Sequence, residues 1–196
     1  MSAAGIEEAT SGGLRRLVGV APGLGIGKIN NGGDAMSKSL ARVVEALRAG
    51  EVDAQAIEMQ YESRTSAQAA EAAGCGLDQI VKSILFQGES GRLYLFLTAG
   101  GNQVDPARAS ALAGEALGRA DGRTVRDVTG FAIGGVAPVG HLTPIPVWMD
   151  PRLMAFPQVW AAAGTPRHIF AIAPQALHRL TGANLAPLTQ EPSVTG

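Results

Sequence analysis

The chain is poor in the residues that build the commonest redox and metal sites. One cysteine, Cys75, stands among 196 residues, so neither an internal disulfide nor a Cys-x-x-Cys metal site can form. A lone small cysteine reads as a buried hydrophobe before it reads as a nucleophile, and the scarcity of thiols suits a reducing cytoplasm. The three histidines, His141, His168 and His178, lack the close spacing that places two ligands on one zinc ion, so no metal is expected. No uninterrupted apolar run reaches the roughly 20 residues of a membrane span, which predicts a soluble protein with no membrane partner. Arg15 and Arg16 ahead of an apolar stretch have the look of an export signal, but Pro22 and several glycines break that stretch and no small-residue cleavage site follows. Neither sign of charge is in excess: 16 Lys+Arg against 17 Asp+Glu give a net charge of -1, which excludes a polybasic nucleic-acid tail. Lysine itself is scarce, three residues against thirteen arginines.

What is plentiful is glycine, 26 residues, and proline, 11, in a chain that is 46% hydrophobic and 17% charged. That composition describes one globular, turn-rich domain with a core of its own. Residues 1–35 show neither helical nor strand periodicity and read as a disordered leader. Within them Gly23-Leu24-Gly25-Ile26-Gly27-Lys28 has the look of a phosphate loop, but Pro22 and Ile29 occupy places that the pattern reserves for Gly and Ser/Thr. A single domain is expected over residues 36–189, with residues 190–196 as a tail.

From Ser37, Leu40, Val43, Val44 and Leu47 recur at helical spacing, with Ser37 placed to cap the start and Gly50 to stop the helix. Residues 56–61 alternate as a half-buried strand, and Thr65 with Gln68 opens a small-residue helix from Ala67 to Ala73. Residues 80–86 and 92–98 are apolar, β-rich runs joined by a Gly-bounded turn, hence a hairpin of two central strands. Asp105-Pro106 starts a helix expected to carry Leu112, Ala116 and Leu117 on one face. Residues 124–128 read as extended, and residues 129–141 as a structured glycine-rich loop. A strand over 145–149, started or edged by Pro146, is followed by a hairpin over 159–161 and 168–173, then a helix from Pro174 to Gly182 and polar chain beyond. Strands and helices interleave without regular βαβ spacing, so the fold class is mixed α+β, with a mixed, partly barrel-like sheet surrounded by helices.

Lys82 stands out as a possible site residue. Strand alternation puts it on a face with Ile80, Ile84 and Phe86, where an ammonium is costly unless it meets an anion or opens into a cleft. A lysine snorkelling to the strand end is the plainer alternative. Gly134-Gly135-Val136-Ala137-Pro138 supplies backbone amides free of side-chain obstruction, suited to a carbonyl oxygen or a phosphate, although a tight turn alone would explain it. His141 just beyond could act as a base or simply lie on the surface. Asp150 ends an apolar strand, where a carboxylate can be aimed into a cleft or can begin a turn before Pro151.

Taken together, Val81-Lys82-Ser83-Ile84-Leu85-Phe86, the turn Gly100-Gly101-Asn102-Gln103-Val104-Asp105, the run from Thr129 through Gly134 and Gly135 to Pro138 with Gly140, Asp150, and Ala161-Ala162-Ala163-Gly164 resemble the YbaK/prolyl-tRNA-synthetase-associated family. The resemblance covers residues 36 to about 188. It implies a free-standing aminoacyl-tRNA deacylase that proofreads in trans, on proline tRNA carrying alanine, cysteine or 2-aminobutyrate, with prolyl-tRNA synthetase as a further partner and no cofactor. By the same resemblance Lys82 is the family's essential lysine, Gly134 with Pro138 its GxxxP motif, Asp150 its acidic strand-end position and Tyr61 an aromatic pocket position. The expected catalytic set is Lys82, Gly134, Gly135 and Asp150, with His141 as the weaker candidate for the base beside the tRNA's own ribose hydroxyl, and with Tyr61, Thr129, Val136, Ala137 and Pro138 against the substrate. In that scheme Lys82 holds the tRNA terminus and the Gly134 and Gly135 amides polarise the ester carbonyl. Two other readings are kept: a tRNA-binding module of the same fold without hydrolysis, and a nucleotide-binding protein that uses the glycine-rich leader. Charge favours RNA modestly, since residues 80–180 hold nine basic and six acidic side chains.

Overall fold

In the computed structural model, residues 27–28, 37–60, 62 and 65–190 are described. Helix α1, Lys38–Ala49, is capped by the Ser37 hydroxyl accepting from the Leu40 amide, and turns Leu40, Val43 and Leu47 into the core. Strand β2, Ala56–Glu58, follows, then α2, Ser66–Ala73, whose Thr65 hydroxyl accepts from the Gln68 amide. A single 3₁₀ turn at Leu77–Gln79 leads into β3, Ile80–Gly88, which pairs antiparallel with β4, Leu93–Ala99, along nearly its whole length. This is the expected central hairpin. Every residue of β4 is buried: Leu95 and Leu97 enter a large core with α1 and Phe170, whereas Tyr94 and Phe96 face a second cluster with Leu188 and Trp148.

Two expectations fail after β4. Helix α3, Pro106–Ala113, starts on Asp105 as read, but Gly114 adopts a left-handed φ of 76° and closes it, so Leu117 leaves the helix for β5, Leu117–Arg119, which pairs with the end of β3. Residues 124–128 are not extended. They belong to α4, Gly122–Thr129, because the Asp121 carboxylate caps the amides of Arg123 and Thr124, and Val125, Val128 and Thr129 then fall on one helical face.

Strand β6, Val147–Met149, begins after Pro146 and runs parallel to β4; a 3₁₀ turn at Pro151–Ala155 then leads to the hairpin β7, Val159–Ala162, and β8, His168–Ile172. Helix α5, Pro174–Thr181, ends at Gly182 as expected. The chain beyond is not merely polar: β9, Asn184–Leu185, pairs with β6, and Leu188 is fully buried. The leader reading also needs correction at one place, because Gly27–Lys28 forms a short strand, β1, paired with β2; the rest of residues 1–35, and residues 191–196, lie outside the described residues. Strand order is β1-β2-β8-β7-β3-β4-β6-β9 with β5 also on β3, a mixed sheet with helices around it, as the sequence implied.

One detail of this order sets up the site. On the side of β3 away from β4, β7 covers only Ile80 and Val81, and β5 covers Phe86 to Gly88. Residues 82–85 therefore have no strand partner on that side among the described residues.

Candidate active site

A cavity of about 560 Å³ opens at this gap. Its walls come from β3 (Ile80, Lys82, Ser83), the first turn of α2 (Thr65, Ser66), β7 and β8 (Trp160, Ile169), and Gly134 with Val136 of the glycine-rich loop. The volume suits a ligand of nucleoside or amino-acid size, not a polymer beyond its terminus.

Lys82 is where the sequence placed it. Its half-buried ammonium donates to the backbone carbonyl of Asn102, in the turn after β4. Burial holds the Lys82 pKa below its ordinary value, while Asp150 and Asp78 act in the opposite direction. With one proton on Asn102, two donors remain for an anion.

Asp150 is not poised for acid–base chemistry. It is 3% exposed, its Oδ2 accepts from the Asn102 side-chain amide at 2.8 Å and the Ala99 amide at 3.3 Å, and its Oδ1 accepts from the Arg152 amide at 2.9 Å. It does not line the cavity. Asp78 fixes the same turn from the other side by accepting from the Gly101 amide at 3.1 Å, and it pairs with Arg152. The acidic position at the strand end thus acts through Asn102, which links the Asp150 carboxylate to the Lys82 ammonium.

The glycine-rich loop divides the expected residues. Gly134, with φ 89°, and Val136 line the cavity, and their amides donate to no acceptor among the described residues. Gly135 does not supply an amide to the site: its N–H donates to the Ala132 carbonyl at 3.0 Å. Its lack of a side chain serves packing instead, because a Cβ there would lie 2.8 Å from the Thr165 Cα. Ala137 and Pro138 are buried behind the loop and are not part of the cavity wall.

His141 is tied to the loop and does not line the cavity. Its Nε2 donates to the Ala137 carbonyl at 2.8 Å, its ring packs edge-on against Phe131, and burial pushes its pKa below the ordinary value of 6.5. Arg42 reinforces the same loop by donating to the carbonyls of Gly130 and Gly140 while lying over the Phe131 ring. Thr129 is fully buried, and its hydroxyl donates to the Val125 carbonyl at 2.6 Å and accepts from the Phe131 amide, which closes α4 instead of touching a substrate. Tyr61 lies outside the described residues. Cys75 does not line the cavity, and burial pushes its thiol up to about 11.

Sequence reasoning passed over Trp160, Ile169 and the first turn of α2, whose shared cavity is created by strand pairing between distant segments. It quoted Ser83 only as part of a motif, and its hydroxyl is the one buried side-chain polar atom without a partner among the described residues. Among the same residues no group of three His, Cys, Asp or Glu side chains could hold a metal, and no helix is long and apolar enough to cross a membrane.

Known proteins share this fold. A solved structure described as a candidate trans-editing enzyme for prolyl tRNA synthetase is 45% identical and superimposes with a TM-score of 0.75 over 80% of this chain and 100% of its own. The hypothetical protein APE2540 is 27% identical, with a TM-score of 0.71 over 76% of this chain and 99% of its own. The Bacillus subtilis (strain 168) protein YwhH, uncharacterized, is 32% identical over 120 residues, which make up 61% of this chain and 76% of that protein. The profile of the aminoacyl-tRNA editing domain matches residues 61–180, a span that contains the lysine strand, the glycine-rich loop and the cavity between them, and the chain belongs to that family.

Proposed function

We propose that this protein is a trans-acting hydrolase in the cytoplasm that removes a small, wrongly attached amino acid from tRNA, with proline tRNA bearing alanine, cysteine or 2-aminobutyrate as its substrates. The observation that carries the reading is one cavity lined both by Lys82 and by Gly134 and Val136, whose amides have no acceptor among the described residues. An aminoacyl ester is already activated, so catalysis needs little more than position and charge. Lys82 takes a phosphate of the tRNA terminus, and the Gly134 and Val136 amides receive the oxyanion as water adds to the ester carbonyl. The ester C–O bond then breaks, releasing the amino acid and leaving the hydroxyl on the terminal ribose. The ribose hydroxyl next to the ester orients the water, so the step needs no side-chain base. Prolyl-tRNA synthetase is the natural supplier of such mischarged tRNA and is proposed as a transient partner.

Two features support this over a binding module: the cavity has the size of an aminoacyl group with part of its nucleoside, and the Lys82 ammonium and the loop amides are donors matched to phosphate and oxyanion. The test is single-turnover deacylation of proline tRNA charged separately with alanine, cysteine, 2-aminobutyrate, serine and proline. Rapid loss of one of the three small residues with proline spared is expected. Binding of every tRNA with no hydrolysis would overturn the enzyme and leave the non-catalytic module.

A further inference from the structure

The cavity wall carries charge of both signs. Among the described residues it holds one ammonium, Lys82, and one carboxylate, Glu62, which is exposed and makes no hydrogen bond or ion pair with them. The carboxylates that act on the Lys82 ammonium are Asp150 and Asp78; Glu62 is not among them, so the two charges of the wall stand apart within one cavity. Exposure divides that cavity into two ends. Glu62 and Thr65, just ahead of α2, and Gly134 on the loop are exposed, whereas Ala69, Ile80 and Ile169 are buried. One end is therefore open and polar, and the other is dry and apolar.

The terminus of an aminoacylated tRNA is likewise charged at two places, negative on its phosphate and positive on the α-ammonium of the amino acid. In the deacylase reading Lys82 takes the phosphate and loop amides take the ester carbonyl. All of these are donors, and none can receive a cation. An α-ammonium brought into the cavity needs an acceptor for the water it loses and gains by standing away from Lys82. The Thr65 hydroxyl at the same rim already accepts from the Gln68 amide, which leaves the Glu62 carboxylate. We propose that Glu62 accepts the α-ammonium of the bound aminoacyl group at the open rim, while the amino-acid side chain enters the apolar end. The assignment rests on the deacylase reading and deepens it, making Glu62 a substrate-binding residue that selects tRNA whose amino acid has a free amine. A rim position keeps the pair partly hydrated and spares it the cost of a buried ion pair.

The test removes the charge from each side in turn and keeps binding apart from catalysis. Proline tRNA carries, through a non-hydrolysable amide, either alanine or propionate, which differs from alanine only in lacking the α-amino group. Affinities are measured for wild type, Glu62→Gln and Glu62→Asp, alongside thermal unfolding. Wild type is expected to bind the alanine tRNA about 3- to 10-fold more tightly than the propionate tRNA, as befits a partly exposed, charge-assisted contact. Glu62→Gln should reduce that preference to less than about twofold, and Glu62→Asp should keep part of it. Loss of a carboxylate also eases repulsion of the tRNA phosphates, so the ratio of the two affinities reads the contact and neither affinity does alone. The melting temperature should not change, because the side chain is exposed and has no partner among the described residues. An unchanged preference in Glu62→Gln would overturn the assignment, as would equal affinity of wild type for the two tRNAs or a preference lost together with a lower melting temperature. Failure of wild type to hydrolyse the ester-linked tRNAs would instead count against the deacylase reading, with the affinity ratio still deciding the contact.

Discussion

The two walls of the cavity are held in opposite ways. On the β3 wall the proposed functional group is a side chain: Lys82 is fixed through Asn102, whose backbone takes the ammonium and whose amide is gripped by the buried Asp150. On the loop wall the proposed functional groups are backbone amides, and the side chains do their work from behind, Arg42 and His141 tying down three carbonyls of residues 130–140. A side-chain site tolerates adjustment through its rotamers. A backbone site has no such slack, because moving an amide means moving the loop. The loop wall should therefore be the more brittle of the two.

Gly135→Ala attacks that difference most sharply. The added Cβ falls 2.8 Å from the Thr165 Cα, backbone that cannot swing aside, so the loop must shift. A displacement of about 1 Å costs on the order of 100-fold in rate, and we expect that loss in single-turnover deacylation, together with a stability decrease of about 1–3 kcal/mol from overpacking. A variant of near wild-type rate would show that the loop does not carry the oxyanion site.

Asn102→Ala tests the other wall and should do less. The Lys82 ammonium keeps its carbonyl acceptor, but the turn loses its tie to Asp150; we expect a loss of about 3–10-fold, concentrated in KM for the tRNA. An effect confined to kcat would mean that Lys82 acts on the reacting ester and not on the tRNA terminus.

Arg42→Ala separates holding from catalysis. It removes the donor shared by the Gly130 and Gly140 carbonyls, with an expected cost of about 1–3 kcal/mol in denaturant unfolding and only a few-fold in rate.

The smallest effect is in the pH profile. Because burial lowers the Lys82 pKa, its ammonium is lost at a lower pH than that of a free lysine, and the deacylation rate should begin to fall below the ordinary value of 10.5. Lys82→Arg should remove that alkaline limb, since a guanidinium stays charged. At the acid end His141 works on stability: its pKa is depressed in the folded state, so the unfolded chain takes up the proton first and stability is lost as pH falls below 6.5.

The same contrast explains what could be read in advance. Lys82 was visible because an ammonium within an apolar strand is anomalous in any fold, and the caps at Ser37, Thr65 and Asp105 and the stops at Gly50 and Gly182 are local signals. The loop was visible as a loop, but which amides stay free of partners depends on a turn bond, Gly135 to Ala132, that no spacing reveals. Asp150 and His141 looked chemical because carboxylate and imidazole are versatile; the partners that tie both into the surrounding turns are distant in sequence or folded back from the loop, and no spacing shows them. Residues 124–128 misled for a related reason, as β-branched Thr124, Val125 and Val128 suggest a strand until the Asp121 cap is weighed with them.

The most direct test of the account is single-turnover deacylation of mischarged proline tRNA by wild type and Lys82→Ala, with tRNA affinity measured in parallel. The account predicts that wild type clears one small amino acid rapidly and that Lys82→Ala, folded to the same melting behaviour, does so at least about 100-fold more slowly at subsaturating protein. Undiminished deacylation by Lys82→Ala would contradict it.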